Sequence, residues 1–260
     1  MKPVGGFGPF TKADGSPDPQ VGNLDVAQTA WLGDWDGFDA EKLFALQPDL
    51  LVGLDLPDVP NTLWYIPEDL YPVISERVPT VGFRLAPEEG VTGLFGHIEN
   101  LATALGADLT AAEQMAARDA FDVAVNDVRE AVAEKPGLQA LVVSADSDSM
   151  YVANPDWFGD IAFFRSLGLD IIAPDTTDRW QELGWEEAGR YQPDLYLVDA
   201  RAGDLPPELA DIATWQAQPA VKAGQVAPWR AVYPYSRQAF TPILEELASA
   251  IRATNPDVAP

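Results

Sequence analysis

The feature that most constrains this chain is a pattern that occurs twice. The tetrapeptide Gln-Pro-Asp-Leu occupies residues 47–50 and 192–195, and in both copies a glutamate lies seven residues before the proline. Each copy predicts a short helix that ends near the proline, because the proline ring clashes with the preceding helical turn, followed by a buried strand. A repeat at so long a spacing indicates two similar halves rather than a solenoid of short repeats.

The rest of the chain alternates short apolar runs with amphipathic stretches, which is typical of parallel strands joined by helices. We expect strands at residues 49–54, 80–83, 138–144, 170–173, 194–198 and 225–229. Ligands of open α/β sheets bind outside the carboxyl ends of the strands. The turns that follow these strands are therefore the first places to look for a site.

A longer helix is predicted between the two halves. Thr110 and Glu113 fit a capping box, and apolar residues follow on one helical face at Phe121, Val125 and Val128. A helix over residues 111–134 would be about 36 Å long, which is enough to connect two lobes. An ordinary surface helix is the alternative. The predicted division is an N-terminal lobe at 1–109, a bridging helix at 110–136 and a C-terminal lobe at 137–260.

Charge and composition exclude several classes of function. The 16 Lys and Arg residues face 41 Asp and Glu residues, a formal charge of −25, which excludes a protein that grips the nucleic-acid backbone. Without cysteine and with His97 as its one histidine, the chain has no means to form disulfides, iron–sulfur clusters or multi-histidine zinc and manganese sites. The sequence also contains no apolar run of membrane-spanning length.

The repeat, the long helix and the run at residues 218–226 resemble the helical-backbone substrate-binding proteins of ABC importers, and most closely their iron–siderophore branch. The resemblance implies two Rossmann-like α/β lobes joined by one long helix, with the ligand in the cleft between the lobes. It further implies a monomer that binds a ferric siderophore and delivers it to a permease. Catalysis, a resident metal and a cofactor are not expected.

The resemblance also assigns a role to the two glutamates of the repeat. Glu41 and Glu186 would each dock onto arginines of the permease, one from each lobe. Paired carboxylate–guanidinium contacts at two points would fix the orientation of the docked carrier. The alternative is that both are solvated glutamates near helix starts, where a carboxylate favours the helix dipole.

The amino end departs from the family pattern. Residues 2–5 match a segment of the family that is normally preceded by an additional strand and helix. An export signal or a lipid-attachment cysteine normally precedes those elements. We expect an extracytoplasmic protein, periplasmic or on the cell surface, whose only link to the membrane is a signal or lipid anchor absent from this sequence.

Aromatic residues in the predicted turns are the main candidates for ligand contact. Rings at strand ends offer flat contact area with little rotamer entropy to lose, which suits a bulky organic ligand. The alternative is that each ring anchors its own loop to the core. The candidates are Trp35, Trp64, Tyr65, Tyr151, Trp157, Trp229 and Tyr235.

Three arginines follow predicted strands. Arg84, Arg201 and Arg237 could each bind the oxygens of a metal chelate through planar paired hydrogen bonds. The alternative is a salt bridge to one of the many nearby acidic residues.

The acidic charge favours a near-neutral ferric hydroxamate over a strongly anionic catecholate, although salt screens distant charges. Haem and cobalamin carriers of the same fold are alternatives. The one histidine available as a haem ligand is His97, which lies in a predicted helix at residues 94–104. An acidic hydrolase of carbohydrates is the alternative of another class. It would use Asp34 with Asp36, or Asp146 with Asp148, as a carboxylate pair.

Overall fold

The computed structural model describes residues 2–35, 37–55, 61–85, 87–201, 203–256 and 258. The chain forms two compact units, one of Met1–Ala86 with Thr92–Leu109 and one of Pro87–Val91 with Thr110–Pro260. Both units combine helices with parallel strands, so the predicted α/β class is confirmed. Among the described residues, no helix has the length and apolarity needed to cross a bilayer.

The first unit is built on two pairs of parallel strands. β1 pairs with β2, and β3 pairs with β4 so that Leu51 lies opposite Thr80 and Asp55 opposite Arg84. Up to residue 109 the elements are β1 (Gly5–Gly6), β2 (Ala30–Trp31), α1 (Ala40–Ala45), β3 (Leu51–Asp55), α2 (Tyr71–Ser75), β4 (Thr80–Arg84) and α3 (Gly90–Ala104).

Leu63 fills the centre of the first unit. Its side chain lies directly over Gly53 and Gly82, where an added Cβ would come within 2.9 and 2.8 Å of it. Leu63 is buried, in a core that also contains Leu43 of α1 and Ile74 of α2. The two glycines are therefore required by close packing, since any larger residue would displace Leu63.

The second unit contains a larger, mixed sheet. The elements are α4 (Ala112–Glu134), β5 (Gln139–Ala145), β6 (Ser149–Ala153), α5 (Gly159–Ser166), β7 (Asp170–Ile171), β8 (Trp180–Gly184), β9 (Leu195–Asp199), α6 (Ala213–Gln216), α7 (Pro219–Lys222), β10 (Val226–Trp229) and α8 (Arg237–Ala253). The strand order of the sheet is β10-β9-β5-β6-β8, with β7 also paired to β5. β5, β9 and β10 are parallel, whereas β6 and β8 add to the sheet in antiparallel pairs.

All six predicted strands are present, with ends that shift by one or two residues. The prediction omitted β1, β2, β6 and β8. β6 and β8 were missed because they extend the sheet through antiparallel pairs, whereas the sequence favoured parallel strands alone. Tyr151, expected in a turn, consequently lies inside β6.

The long helix is present, but its predicted start is wrong. α4 begins at Ala112, and Ala111 holds the N-cap position, where its methyl side chain makes no capping hydrogen bond. The helix packs along α8 of the same unit, where Arg252 donates to both carboxylate oxygens of Asp127 at 3.0 and 2.7 Å. This contact lowers the pKa of Asp127. The bridging role of the helix stays a prediction.

Candidate functional site

Three predicted aromatic residues form one continuous stack in the first unit. The ring centroids of Trp35 and Tyr65 are 4.4 Å apart, and those of Tyr65 and Trp64 are 4.8 Å apart with an interplanar angle of 22°. All three side chains are partly exposed. These residues were predicted as separate candidates for ligand contact, and the structure brings them together from two turns.

Backbone geometry explains how the stack is held. The Trp64 amide donates to the carbonyl oxygen of Leu54 at 2.8 Å, which fixes the turn to the end of β3. Tyr65 adopts φ of 63°, a left-handed conformation that side chains rarely adopt. The Trp35 ring lies against Gly8, where an added Cβ would come within 2.8 Å of it. Strained or crowded backbone of this kind is concentrated at binding sites.

Arg84 lies at the carboxyl end of β4, as predicted, but an acidic residue partners it. Its guanidinium is 3.4 Å from the carboxylate of Asp55, the residue opposite it at the end of β3. The Arg84 side chain is still 60% exposed. The end of this strand pair therefore offers a charge-compensated arginine rather than a bare cation.

The second unit also has an arginine with an acidic partner, at the end of β9. Arg201 donates through Nε to Oδ2 of Asp199 at 2.9 Å, and its own amide donates to Oδ1 at 3.0 Å. Asp199 is buried, whereas about half of the Arg201 side chain is accessible. The guanidinium is thus held in place by a buried carboxylate and directed outward.

Trp229, a predicted ligand-contact residue, lies in the interior. It is only 2% exposed, and its indole Nε1 donates to Oδ2 of the buried Asp160 at 2.7 Å. The expectation of an exposed ring at the end of β10 is therefore wrong, because the ring packs against Phe158 and Trp180 in the interior.

The segment after β10 carries the remaining candidates of the carboxyl-terminal half. Tyr235 is partly buried, contacts the Tyr233 ring at 5.1 Å, and has a pKa raised by burial and by nearby Asp160. The Arg237 guanidinium lies 5.2 Å from the centroid of Phe121, a cation–π contact at the start of α8.

Trp157 belongs to a second aromatic group that the sequence did not identify as one. Its indole donates to the carbonyl oxygen of Thr177 at 3.0 Å, and the Arg179 guanidinium lies 5.6 Å from its ring and 5.8 Å from that of Phe158. Arg179 was missed because it precedes β8, an antiparallel strand that was not predicted. The sequence feature that could have pointed to Arg179 is its position next to a tryptophan, in Asp-Arg-Trp at residues 178–180.

Two of the carboxylates considered for a hydrolase, Asp34 and Asp146, accept local hydrogen bonds. Oδ1 of Asp146 accepts the amides of Asp148 and Ser149 at 2.8 and 2.9 Å, which closes the β5–β6 turn and lowers the pKa of Asp146. Its Oδ2 accepts the hydroxyl of Tyr151 at 3.0 Å. Asp34 accepts the amide of Trp35, and Asp36 lies outside the described residues.

The two repeat glutamates are both exposed, on elements of different type. Glu41 lies in the first turn of α1, which Asp39 caps by accepting the Lys42 amide at 2.8 Å. Glu186 lies in a short 3-10 turn, Trp185–Glu187, where the sequence predicted a helix. Docking by these residues stays a prediction.

His97 lies on an exposed part of α3, which confirms its predicted helical position. Within the described ranges, no group of three or more His, Cys, Asp or Glu side chains could hold a metal ion. The expectation that the protein has no cofactor stays a prediction.

Comparison with known proteins gives one family and a consistent fold. Residues 11–233 match the family described as periplasmic binding protein. DesE, a ferric-siderophore receptor protein from Streptomyces coelicolor, is similar with 33% identity and a TM-score of 0.89, over 99% of this chain and 87% of DesE. No curated protein matches the sequence.

Two more distant structures share the fold. The siderophore-binding protein FhuD from Vibrio cholerae, solved with Fe3+-Desferal, is 19% identical with a TM-score of 0.65, over 100% of this chain and 92% of FhuD. The catecholate-siderophore binding protein VctP from Vibrio cholerae is 14% identical with a TM-score of 0.65, over 97% and 87%. The resemblance identified from the sequence is confirmed, and the expectation of a binding protein rather than an enzyme is confirmed with it.

Proposed function

The chain belongs to the periplasmic binding protein family, and from that premise we propose that it binds a ferric siderophore outside the cytoplasm and delivers it to an ABC permease. The relative DesE, 33% identical over nearly the whole chain, is described as a ferric-siderophore receptor protein. That similarity is the observation that carries the proposal.

The local chemistry supports a ligand of this kind. The Trp35–Tyr65–Trp64 stack provides a flat, partly exposed aromatic surface. Such a surface can bind the organic framework of a chelate without ordering long side chains. Arg84 and Arg201 could donate hydrogen bonds to the oxygens that surround the iron.

The absence of net positive charge on these two ion pairs, in an acidic chain, favours a hydroxamate-type chelate. Asp55 partners Arg84, and Asp199 partners Arg201, so each pair carries no net charge. The whole chain carries −25. A ferric tris-catecholate is strongly anionic and would be repelled, whereas a ferric tris-hydroxamate is near neutral and can use the same donors.

The experiment is a titration of the purified chain with ferric desferrioxamine B, a ferric tris-catecholate, haemin and cobalamin, followed by tryptophan fluorescence and calorimetry. We expect saturable binding of the ferric hydroxamate with at least tenfold preference over the catecholate. Saturable binding of haemin or cobalamin alone would replace the proposal by the corresponding carrier, and binding of none of the four would refute it.

Matched variants test the aromatic surface. Trp35→Ala should lower the affinity for the ferric hydroxamate by about tenfold, the loss typical of one aromatic contact. Val73→Ala is the control, because Val73 is 42% exposed in the same unit but stands outside the stack. Equal effects of the two variants would contradict the proposed role of the stack.

Delivery to the permease is tested by uptake of the iron-loaded chelate into cells that carry the native permease. Glu41→Ala and Glu186→Ala should reduce uptake while leaving the dissociation constant unchanged, because both side chains are exposed. Glu113→Ala is the control, since Glu113 is also an exposed glutamate in a first helical turn. Full uptake by the Glu41→Ala, Glu186→Ala double variant would refute docking by these residues.

A further inference from the structure

Asp160 is a carboxylate buried in the second unit without a cationic partner. It lies in the first turn of α5, and its Oδ2 accepts the indole N–H of Trp229 at 2.7 Å. Among the described residues it forms no ion pair. The groups that hold it are neutral: the Trp229 indole and backbone amides at the start of α5.

The groups that face Asp160 from neighbouring elements are acidic or aromatic. Asp199 faces it from β9, and Tyr233 and Tyr235 face it from the segment after β10. The nearby guanidinium of Arg201 is already bound to Asp199. Burial and the charge of Asp199 raise the pKa of Asp160 to about 6.

A carboxylate is a costly choice at this position. Asparagine has the same shape and could accept the Trp229 indole N–H through its carbonyl oxygen, without a charge in the interior. A residue that weakens the fold at neutral pH and interacts electrostatically with Tyr235, a candidate binding residue, is typical of a functional position.

We propose that Asp160 is a positioning residue that anchors Trp229 and the Tyr233–Tyr235 segment for ligand binding, and that it takes up a proton when the ligand binds. This inference rests on the proposed function. The anchoring follows from the contacts: Trp229 ends β10, and the amide of Ala231, between Trp229 and the Tyr233–Tyr235 segment, donates to the Trp229 carbonyl oxygen at 3.1 Å.

The direction of the proton coupling follows from charge. The oxygens of a ferric chelate bring partial negative charge towards Arg201 and Tyr235, near the carboxylate of Asp160, whereas Arg201 compensates the charge of Asp199. Protonation of Asp160 removes the uncompensated negative charge, so the ligand favours the protonated form. By linkage, protonation must then favour the ligand to the same extent.

The experiment measures calorimetric affinity for ferric desferrioxamine E, an uncharged cyclic tris-hydroxamate complex that persists in mild acid, between about pH 5 and about pH 8. We expect the wild-type protein to bind about three- to tenfold more tightly at the acidic end. Near pH 6, titrations in buffers of different ionisation enthalpy should show net uptake of a fraction of a proton. Asp160→Asn should bind with the same affinity at every pH and without proton uptake.

Two further variants separate this role from a structural one. Asp156→Asn removes the same charge from an exposed residue nearby, one that is paired with Arg165, and should retain the wild-type pH profile. Trp229→Phe removes the indole N–H that stabilises the ionised carboxylate, so the midpoint of its pH profile should move upward. If Asp160→Asn does not fold, Trp229→Phe and the wild-type profile still test the inference.

The outcomes distinguish this inference from the proposed function. Absence of binding by the wild-type protein at every pH would refute the proposed function. Binding with no pH dependence, or with a pH profile and proton uptake that Asp160→Asn retains, would refute the role of Asp160 and leave the proposed function intact.

Discussion

The two copies of Gln-Pro-Asp-Leu have the same sequence and different surroundings. Asp194, in the second unit, is 4% exposed, and its Oδ2 accepts the amide of Gln139 at the start of β5 at 2.9 Å. Asp49, the matching residue of the first unit, is exposed. One motif thus provides a buried anchor between strands in one unit and a solvated carboxylate in the other.

The difference arises from the strands that follow. β9 lies between β5 and β10, so the turn that precedes it is covered by neighbours on both sides. β3 pairs with β4 in a two-stranded sheet. A repeated sequence therefore shows that two segments share a local conformation, whereas the number of neighbouring strands determines whether a side chain is buried.

The units also differ in how they pack the strand interior. The first unit uses Gly53 and Gly82 to admit Leu63, whereas β5 and β9 of the second unit carry buried residues such as Val143 and Val198. The core of the first unit thus depends strongly on one side chain.

The largest effect is expected from Leu63→Ala. The substitution removes the side chain that covers both glycines and should destabilise the first unit by about 2 to 5 kcal/mol, because the glycines have no side chains to fill the cavity. Hydrogen exchange during urea titration would locate the loss in β3 and β4. Val123→Ala, at a residue that is 68% exposed on α4, is the control. Equal loss of protection in β5 and β9 would show that the two cores are not independent.

The next largest effect is expected at Asp160, where a substitution should raise the free energy of unfolding rather than lower it. Its pKa of about 6 lies above the ordinary 3.8, so the folded state binds the proton more tightly than the unfolded state. The free energy of unfolding should therefore fall as pH rises from about 4 to about 6 and remain lower above that range. Asp160→Asn should be more stable than the wild type by about 2 to 3 kcal/mol at pH 8, and this difference should vanish below about pH 4.

Urea denaturation of both proteins across this pH range measures the difference. If the stability difference between Asp160→Asn and the wild type persists undiminished in acid, its cause is better packing of the amide and not the removal of a buried charge.

Asp194→Ala and Asp49→Ala test the unequal repeats directly. The first substitution leaves the Gln139 amide without its acceptor and should cost about 1 to 3 kcal/mol, whereas the second should change stability by less than about 0.5 kcal/mol. Thermal unfolding by calorimetry provides the comparison. Similar losses at the two positions would show that the copies are equivalent after all.

The smallest effect on stability is expected from Arg84→Ala. Its ion pair with Asp55 is exposed on both sides, and such pairs contribute about 0 to 1 kcal/mol. A change in ligand affinity without a change in melting temperature would identify Arg84 as a binding residue. Loss of both together would indicate a structural role.

Much of this molecule could be predicted from its sequence. Strand positions follow from apolar runs, since a buried parallel strand must be apolar on both faces. The helix that contains Phe121, Val125 and Val128 follows from residue spacing. The grouping of Trp35 with Trp64 and Tyr65 could not be predicted, because it depends on two turns that lie apart in the chain. The burial of Trp229 could not be predicted either, because it depends on Asp160, Phe158 and Trp180 in other parts of the chain.

The sequence by itself determined the α/β class, the two-fold repeat, the strand positions and the family resemblance, since each of these depends on patterns along the chain. Only the tertiary structure decided which arginines are charge-compensated, which of the candidate tryptophans is buried and which aspartates lie in the interior. Those properties depend on distances between residues far apart in the sequence, and the free energies of burial and of charge pairing are set by those distances.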